Sequence, residues 1–358
     1  MSSYCPNPAD LFNNEGLMPT VALNVVFAEN RIFTGEFLKG TVLLDSADPG
    51  TVVQEFFAEI KGMGKSGWVN VHTDKIYETE KEYLNSLVPL GHSGTMIRPG
   101  RHQFPFQVLI PESAPSSYES QFGTIRYAVK ISLLTNSDQS TTSETFPFHV
   151  IARSYFEDVP LALMKQIEYK DEVDFTVCTF PFGTVYLRVT LPRTGFRLGE
   201  LIQVKVHVRS CTRKALKDCR MQLILKSQFE AMSRYEHVNE KKLLEQMLDN
   251  VLLGRAKGRS ETEFKTCDLK IPENGVPSQQ STRGDGDVNI IAISYVLRFV
   301  AKPGIETEIP IIVTSKGYRE PTKSITSSAV AELRPARSNR RATIFESNDP
   351  NNPAVFYC

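Results

Sequence analysis

An all-β chain built from tandem antiparallel β-sandwiches is what this 358-residue sequence predicts. Three observations predict it. Apolar and polar residues alternate with period two along most of the chain, the pattern of strands that put one face on a core. Turn residues punctuate the runs at Pro49-Gly50, Pro99-Gly100, Pro192, Pro272, Pro277 and Pro303-Gly304. No helical pattern alternates with the strands, as a parallel α/β sheet would require. The length suits two domains of ordinary size.

Taken in order, Val52, Phe56, Ala58 and Ile60 share one parity, with Gln54 the exception, while Glu55, Glu59 and Lys61 share the other. Phe104, Phe106, Val108 and Ile110 form a second row, and Ile125, Tyr127, Val129, Ile131 and Leu133 a third, with Arg126, Lys130 and Ser132 opposite. The second half repeats the behaviour at Val185–Leu191, at Ile202–Val208, at Met221, Leu223 and Leu225, and at Ile291–Phe299. The polar stretch 136–144 reads as a hairpin loop. The boundary falls between His149 and Phe175, where Glu168-Tyr169-Lys170-Asp171-Glu172 reads as a linker. The expected division is a flexible N-terminus over 1–20, a first sandwich over 21–157, a linker over 158–174, a second sandwich over 175–320 and a disordered tail over 321–358.

Two internal echoes support a repeated sandwich. Phe33-Thr34-Gly35-Glu36 and Phe196-Arg197-Leu198-Gly199-Glu200 each lead into a strand. Pro99-Gly100 precedes Phe104-Pro105-Phe106 as Pro303-Gly304 precedes Ile309-Pro310-Ile311. One segment dissents: Leu243, Leu244, Met247, Leu248, Val251 and Leu252 have helical spacing. It reads as a helix of three turns or as a long edge strand, and the sequence leaves both open.

The chemistry is sparse. The 41 basic residues balance 41 acidic ones, so no global charge draws the chain to nucleic acid. No run approaches a membrane span, and Met1–Pro6 has the form of neither a signal peptide nor a myristoylation start. The cysteines 5, 178, 211, 219, 267 and 358 are scattered without metal-ligand spacing, and no N-x-Ser/Thr acceptor occurs, so a cytosolic chain with free thiols is expected. No two of the six histidines lie within five residues of each other, and no nucleophile elbow or dinucleotide loop occurs. Gly62-Met63-Gly64-Lys65-Ser66-Gly67 resembles a phosphate loop only superficially and reads as a surface turn. Asp285-Gly286-Asp287 has too few carboxylates for a calcium loop. No cofactor and no catalysis are expected; the chain reads as a binding protein.

The block from Pro99 to Pro111, followed by Pro115-Ser116-Ser117-Tyr118-Glu119 and Gly123-Thr124-Ile125-Arg126-Tyr127, resembles the arrestin N-terminal domain signature. Gly35-Glu36, Gly40 and Gly67-Trp68 are similar to that family's early strands. Arg193–Phe196, Gly199-Glu200, Ile293–Leu297, Pro303-Gly304 and Pro310–Ile312 are similar to its C-terminal domain. The resemblance covers about Val21 to Gly317 and is closer to the alpha-arrestins, the arrestin domain-containing proteins, than to the visual or beta arrestins. It implies two immunoglobulin-like sandwiches and a non-enzymatic adaptor that links membrane cargo to endocytic or endosomal sorting or to ubiquitylation. The implied place is the cytoplasm, with recruitment to plasma membrane and endosomes. The implied partners are cytoplasmic segments of membrane receptors or transporters. The family's Pro-Pro-x-Tyr ligase motif is absent; the tail offers only Asn352–Tyr357, so a ubiquitin ligase would be reached through an indirect link. The cysteine through which some members bind thioredoxin is not placed on Cys211, Cys219 or Cys267. A scaffold of the same fold in a stable coat, like a retromer subunit, is the alternative.

Candidate contacts follow from parity. Arg126 and Lys130 lie opposite a core row, and with Lys61 they are candidates for pairing with acidic or phosphorylated cargo; Lys65 and Arg188 are weaker ones. In the tail, Arg340-Arg341-Ala342-Thr343 marks Thr343 as a candidate phosphorylation site. A phosphate there would add about two negative charges near four arginines.

Overall fold

The structure, a computed structural model, describes residues 21–47, 51–136, 141–177, 180–236, 238–280 and 289–318. The tail with Thr343, the 285–287 carboxylates and part of the 136–144 loop lie outside the described residues. The first sandwich is made of β1 (Val21–Phe27), β2 (Arg31–Phe33), β3 (Phe37–Ser46), β4 (Thr51–Asn70), β5 (Lys75–Pro89), β6 (Met96–Ile97), β7 (Gly100–Leu109), β8 (Tyr118–Glu119), β9 (Gly123–Thr135) and β10 (Thr142–Ile151). The second contains β11 (Ile167–Val177), β12 (Phe180–Leu191), β13 (Gly195–Arg197), β14 (Leu201–Ser210), β15 (Leu216–Ser233), β16 (Asn239–Ala256), β17 (Ser260–Glu263), β18 (Cys267–Lys270), β19 (Ile291–Lys302) and β20 (Ile305–Thr314).

In the first sandwich a sheet in the order β1-β3-β7 covers one in the order β5-β4-β9-β10-β2. In the second, β11-β12-β14-β17 covers β13-β20-β19-β15, with β16 on the far side of β15. The rows that alternation assigned inward are buried: Ile125 to Leu133 on β9, Val185 to Leu191 on β12, Ile202 to Val208 on β14 and Ile291 to Phe299 on β19. The two larger sheets are continuous. The last residues of β15 pair with β5, Met232 opposite Glu78 and Ser233 opposite Tyr77, so one twelve-stranded sheet runs through both sandwiches.

Several expectations are corrected. Glu168–Glu172 is not a linker; it is the middle of β11, where alternating polar residues line an exposed face opposite β12. The connection between sandwiches is instead the stretch around two short 3-10 turns, Phe156–Asp158 and Leu161–Met164. Gly62–Gly67 is not a surface turn but the interior of β4. A β-carbon on Gly62 would lie 2.6 Å from Cδ1 of Tyr127, and one on Gly64 2.6 Å from Cε2 of Tyr83. These glycines let aromatic rings lie flat across the strand, a use of strand glycine in which a side chain fills the vacant Cβ space. Gln54 broke parity because the register shifts between Val53 and Glu55, a bulge that turns Val53 into the core.

The 243–253 segment lies in strand β16, paired with β15 along its length. Leu223 faces Asp249 and Ile224 faces Met247, so Leu248 is an extra residue at a bulge. That insertion shifts the parity, and the resulting half-buried series 244, 248, 251 imitates a helical stripe.

The first echo is a repeated corner. Gly35 and Gly199 sit at φ 78° and 80°, a left-handed conformation that glycine tolerates. The following Glu folds back on its own turn: Glu36 accepts the Phe33 N–H at 3.3 Å and Glu200 the Arg197 N–H at 2.9 Å. Glu36 also pairs with Arg153, and Glu200 with Arg193. The second echo joined strands that do not correspond. β20 runs antiparallel to β19 and parallel to β13, and the strand with those relations in the first sandwich is β10, beside β9 and β2. The match to Ile309-Pro310-Ile311 is therefore Phe146-Pro147-Phe148, whereas Phe104–Phe106 lies in β7 beside β3.

Candidate functional site

The β4–β9 register brings the candidate cations to one face. Lys61 stands opposite Ala128, Met63 opposite Arg126 and Glu59 opposite Lys130, on the side of the sheet away from the core. Arg188 belongs to the other sandwich, 3.0 Å from Glu168. The face is charge-compensated. Arg126 forks onto Glu119 of β8, with Nε 3.0 Å from Oε2, and that hydrogen bond holds the Glu119 carboxyl below its usual range against a small burial effect. Lys61 lies 2.5 Å from Glu59, whose hydrogen bond raises the lysine's pKa. Lys65 is 2.6 Å from Glu80. Lys130 is exposed and makes no ion pair among the described residues. Arg126 lines a cleft of 520 Å³ together with Tyr118, Ala128, Pro147 and His149. Burial, then the nearby Arg31, lowers the His149 pKa, so its ring is neutral at pH 7.

A second surface forms where the sandwiches meet. The β4–β5 and β15–β16 hairpins lie side by side at the end of the shared sheet. Lys75 Nζ is 2.6 Å from Glu236, Arg234 Nη2 is 2.6 Å from Glu78, and the Arg234 N–H donates to the Ile76 carbonyl at 3.0 Å. Tyr77 donates to Glu240 at 2.6 Å, and that hydrogen bond pushes its phenol up to about 12. Past these ties the tips turn apolar side chains to solvent: Val71 is 86% exposed and Tyr235 68%, flanked by Val69 and Val238. The result is an apolar crest with a charged rim, contributed equally by both sandwiches. Sequence reasoning missed it. Val71 and Tyr235 are single apolar residues in polar turns, and only the tertiary pairing of β15 with β5 brings their two hairpins side by side.

Below the crest the junction is packed. Trp68 stacks on Tyr77 at 5.5 Å between centroids, and Lys242 Nζ sits 4.0 Å from the Phe122 ring centre. Fully buried Phe229 meets Phe122 edge-on at 5.9 Å, and Tyr118 Oη lies 2.6 Å from Ser227 Oγ. On the side of the connection, the Ser154 and Ser315 backbone N–H groups each donate to the other's hydroxyl, at 2.9 and 3.0 Å. Phe156 N–H donates to Gly317 at 3.2 Å, and its ring meets Tyr318 edge-on. Lys316 Nζ lies 4.0 Å from the Phe33 ring centre and 3.8 Å from Glu36.

Two of the described thiols, Cys219 and Cys267, are buried and poorly placed for chemistry. Burial raises the Cys219 pKa and pushes Cys267 up to about 11, the reverse of what a nucleophilic thiolate needs. Among the described residues no group of His, Cys, Asp and Glu could hold a metal ion, and no helix is long and apolar enough to cross a membrane.

Comparison with known proteins places this geometry. Residues 23–154 match the family model of the arrestin (or S-antigen) N-terminal domain, and residues 181–318 that of the C-terminal domain. The chain is 56% identical over 313 residues to arrestin domain-containing protein 15 of Caenorhabditis elegans, covering 87% of this chain and 84% of that protein. It is 26% identical over 305 residues to arrestin domain-containing protein 4 of Mus musculus, covering 80% and 69%. To arrestin domain-containing protein 5 of Homo sapiens it is 21% identical over 339 residues, covering 89% and 94%. With both domain signatures in order and a relative that matches over most of both chains, this protein belongs to the arrestin domain-containing protein family, a non-enzymatic adaptor of the arrestin kind.

Proposed function

We propose that this adaptor works in the cytoplasm, where it holds cytoplasmic segments of membrane receptors or transporters. It would bring them to endocytic or endosomal sorting machinery, and reach a ubiquitin ligase through a further protein because no Pro-Pro-x-Tyr motif is present. The observation that carries this reading is the crest: exposed Val71 and Tyr235 on paired hairpins, with a rim of Lys75, Glu78, Arg234 and Glu236. An exposed apolar centre with a polar rim is the anatomy of a protein-binding surface. The cations at 61, 126 and 130 supply a second contact for acidic or phosphorylated segments. Arg126 and Glu119 are both largely exposed, so an incoming carboxylate or phosphate can replace Glu119 with little desolvation. Thr343, if phosphorylated, would set a phosphate among Arg334, Arg337, Arg340 and Arg341 and draw the tail together.

The test is quantitative affinity capture from gently solubilised cells with the full chain, with Val71→Ser/Tyr235→Ser, and with a chain ending at Val330. Integral membrane proteins should be enriched by the full chain and by the truncated one, and lost with the crest variant. Equal capture by the crest variant, or recovery of no membrane protein by the full chain, would refute the reading.

A further inference from the structure

Among the described residues β16 pairs with β15 alone, so its far side is an open sheet edge. The open run has definite ends. It starts at Asn239, and the bulge at Leu248 interrupts it; just beyond, Asp249 accepts the Lys270 N–H of β18 at 2.7 Å. Residues Asn239–Met247 remain, with no proline and no glycine among them. Natural edges are commonly blunted by proline, by bulges or by lysines. Here Lys242 is turned onto the Phe122 and Trp68 rings. On the opposite face Leu243 and Met247 are 53% and 56% exposed.

That face carries an ion network with one carboxylate too many. Lys226 lies 3.1 Å from Glu245 and 2.6 Å from Glu308, while Arg298 pairs with Glu245, Glu306 and Glu308. Two cations thus answer three carboxylates. Lys241 is loosely held by comparison: its ion pair with Glu230, directly opposite on β15, spans 4.0 Å, and its side chain is more than half exposed. The open run is complementary to itself. When 239–247 is laid antiparallel on a second 239–247, Leu243 falls on the twofold axis and Lys241 falls opposite Glu245 twice. With the β15–β16 register added, one row across four strands reads Lys226, Glu245, Lys241, Glu230, alternating in sign; opposite charges facing each other across strands stabilise a sheet. A shift by two residues, the smallest that keeps each face, sets Lys242 opposite Lys242 or Glu245 opposite Leu243 and loses both opposite-charge pairs.

We propose that the open edge of β16 is the interface of a twofold dimer, in which residues 239–247 of two copies pair antiparallel about Leu243. The pairing forms about eight to ten backbone hydrogen bonds. It brings Lys241 of the second copy to the network that lacks a cation, and it sets the two exposed Leu243 side chains against each other. Each copy uses up its own open edge in the contact, so assembly closes at two. The dimer carries two crests, so a membrane protein with two binding segments is held at both. The inference stands apart from the cargo reading, because it needs a second copy of this chain and no other protein.

Sedimentation velocity of the purified full chain over a range of concentrations tests it. The wild type should show a monomer–dimer equilibrium and no larger species. Lys241→Glu and Glu245→Lys each set like charges opposite one another in both halves of the dimer, and each should raise its Kd about tenfold. An equimolar mixture of the two variants makes both pairs opposite in charge again and should dimerise as the wild type does. A structural role within one chain would not produce that recovery. Glu245→Lys also sits beside Lys226 and Arg298, so if its urea midpoint falls below that of the wild type, Leu243→Cys replaces the mixture. Antiparallel partners have Cα atoms about 4.5–5.5 Å apart, within disulfide reach, and mild oxidation should link position 243 to position 243, read by mass spectrometry of the joined peptides. A wild type that stays monomeric at every concentration, single variants that dimerise unchanged, a mixture of folded variants that does not recover, or oxidation that never links 243 to 243 would overturn the proposal.

Discussion

Replacing Gly62 by alanine tests the claim that β4 carries a glycine notch for an aromatic ring. The added methyl would lie 2.6 Å from Cδ1 of Tyr127 and 3.1 Å from Cβ of Leu84. Tyr127 cannot withdraw freely, because it is 1% exposed and its hydroxyl donates to the Pro115 carbonyl at 2.7 Å. Overpacking of this kind costs about 1–3 kcal/mol, and pulling the hydroxyl from its acceptor adds about 1 kcal/mol. Alanine returns about 0.5–1 kcal/mol through lower backbone entropy, so the net loss should be about 2 kcal/mol. Tyr127→Ala alone should cost about 3–5 kcal/mol. In the double variant the methyl enters space the ring has left, so the two losses should fall short of their sum by about 2 kcal/mol. Urea unfolding followed through Trp68, the single tryptophan, reads all four proteins. A neutral Gly62→Ala, or additive losses, would refute the notch and restore a permissive turn at this position.

Other expectations follow from the junction and the second sandwich. Phe229→Ala should cost about 3–5 kcal/mol, because the fully buried ring meets Phe122 and Tyr118 across the junction, and calorimetry should show it. Tyr118→Phe removes the bond to Ser227 and should cost about 1 kcal/mol in the same experiment. On the outer face of the second sandwich, Glu245 is held below its usual range first by Arg298; Glu308 is held down by Lys226 and Arg298 although burial, its largest influence, opposes them. Carboxyls with lowered native pKa values stabilise the fold above their unfolded value near 4.5, and that stability disappears as pH falls through the lowered values. Melting temperature should therefore drop on the acid side of that value, and less steeply in Arg298→Met; identical acid limbs would contradict the assignment.

The strands were legible wherever one face meets a core. Ile202 to Val208 alternate without interruption, and their burial follows parity residue by residue; Ile125 to Leu133 do the same except at Ser132, which is buried against the pattern. Legibility failed where a bulge or a glycine breaks the period. The extra residue at Leu248 makes a paired strand imitate a helix, and Gly62 and Gly64 look like a turn because the aromatic rings above them come from β9 and β5. Of the candidate site, parity put Lys61, Arg126 and Lys130 on one face, but their carboxylate partners could not be read. Glu119 lies on a two-residue strand whose placement depends on the loop before β9. The crest was invisible for a related reason, since it exists only because β15 pairs with β5 across the two sandwiches.

The most direct test of the adaptor account is site-specific photo-crosslinking in cells, with the reactive group placed in turn at Val71, at Tyr235 and at Lys39 on the remote β3. The account predicts adducts with integral membrane proteins at 71 and 235 and none at 39. Adducts absent from the crest, or formed equally at all three positions, would contradict it.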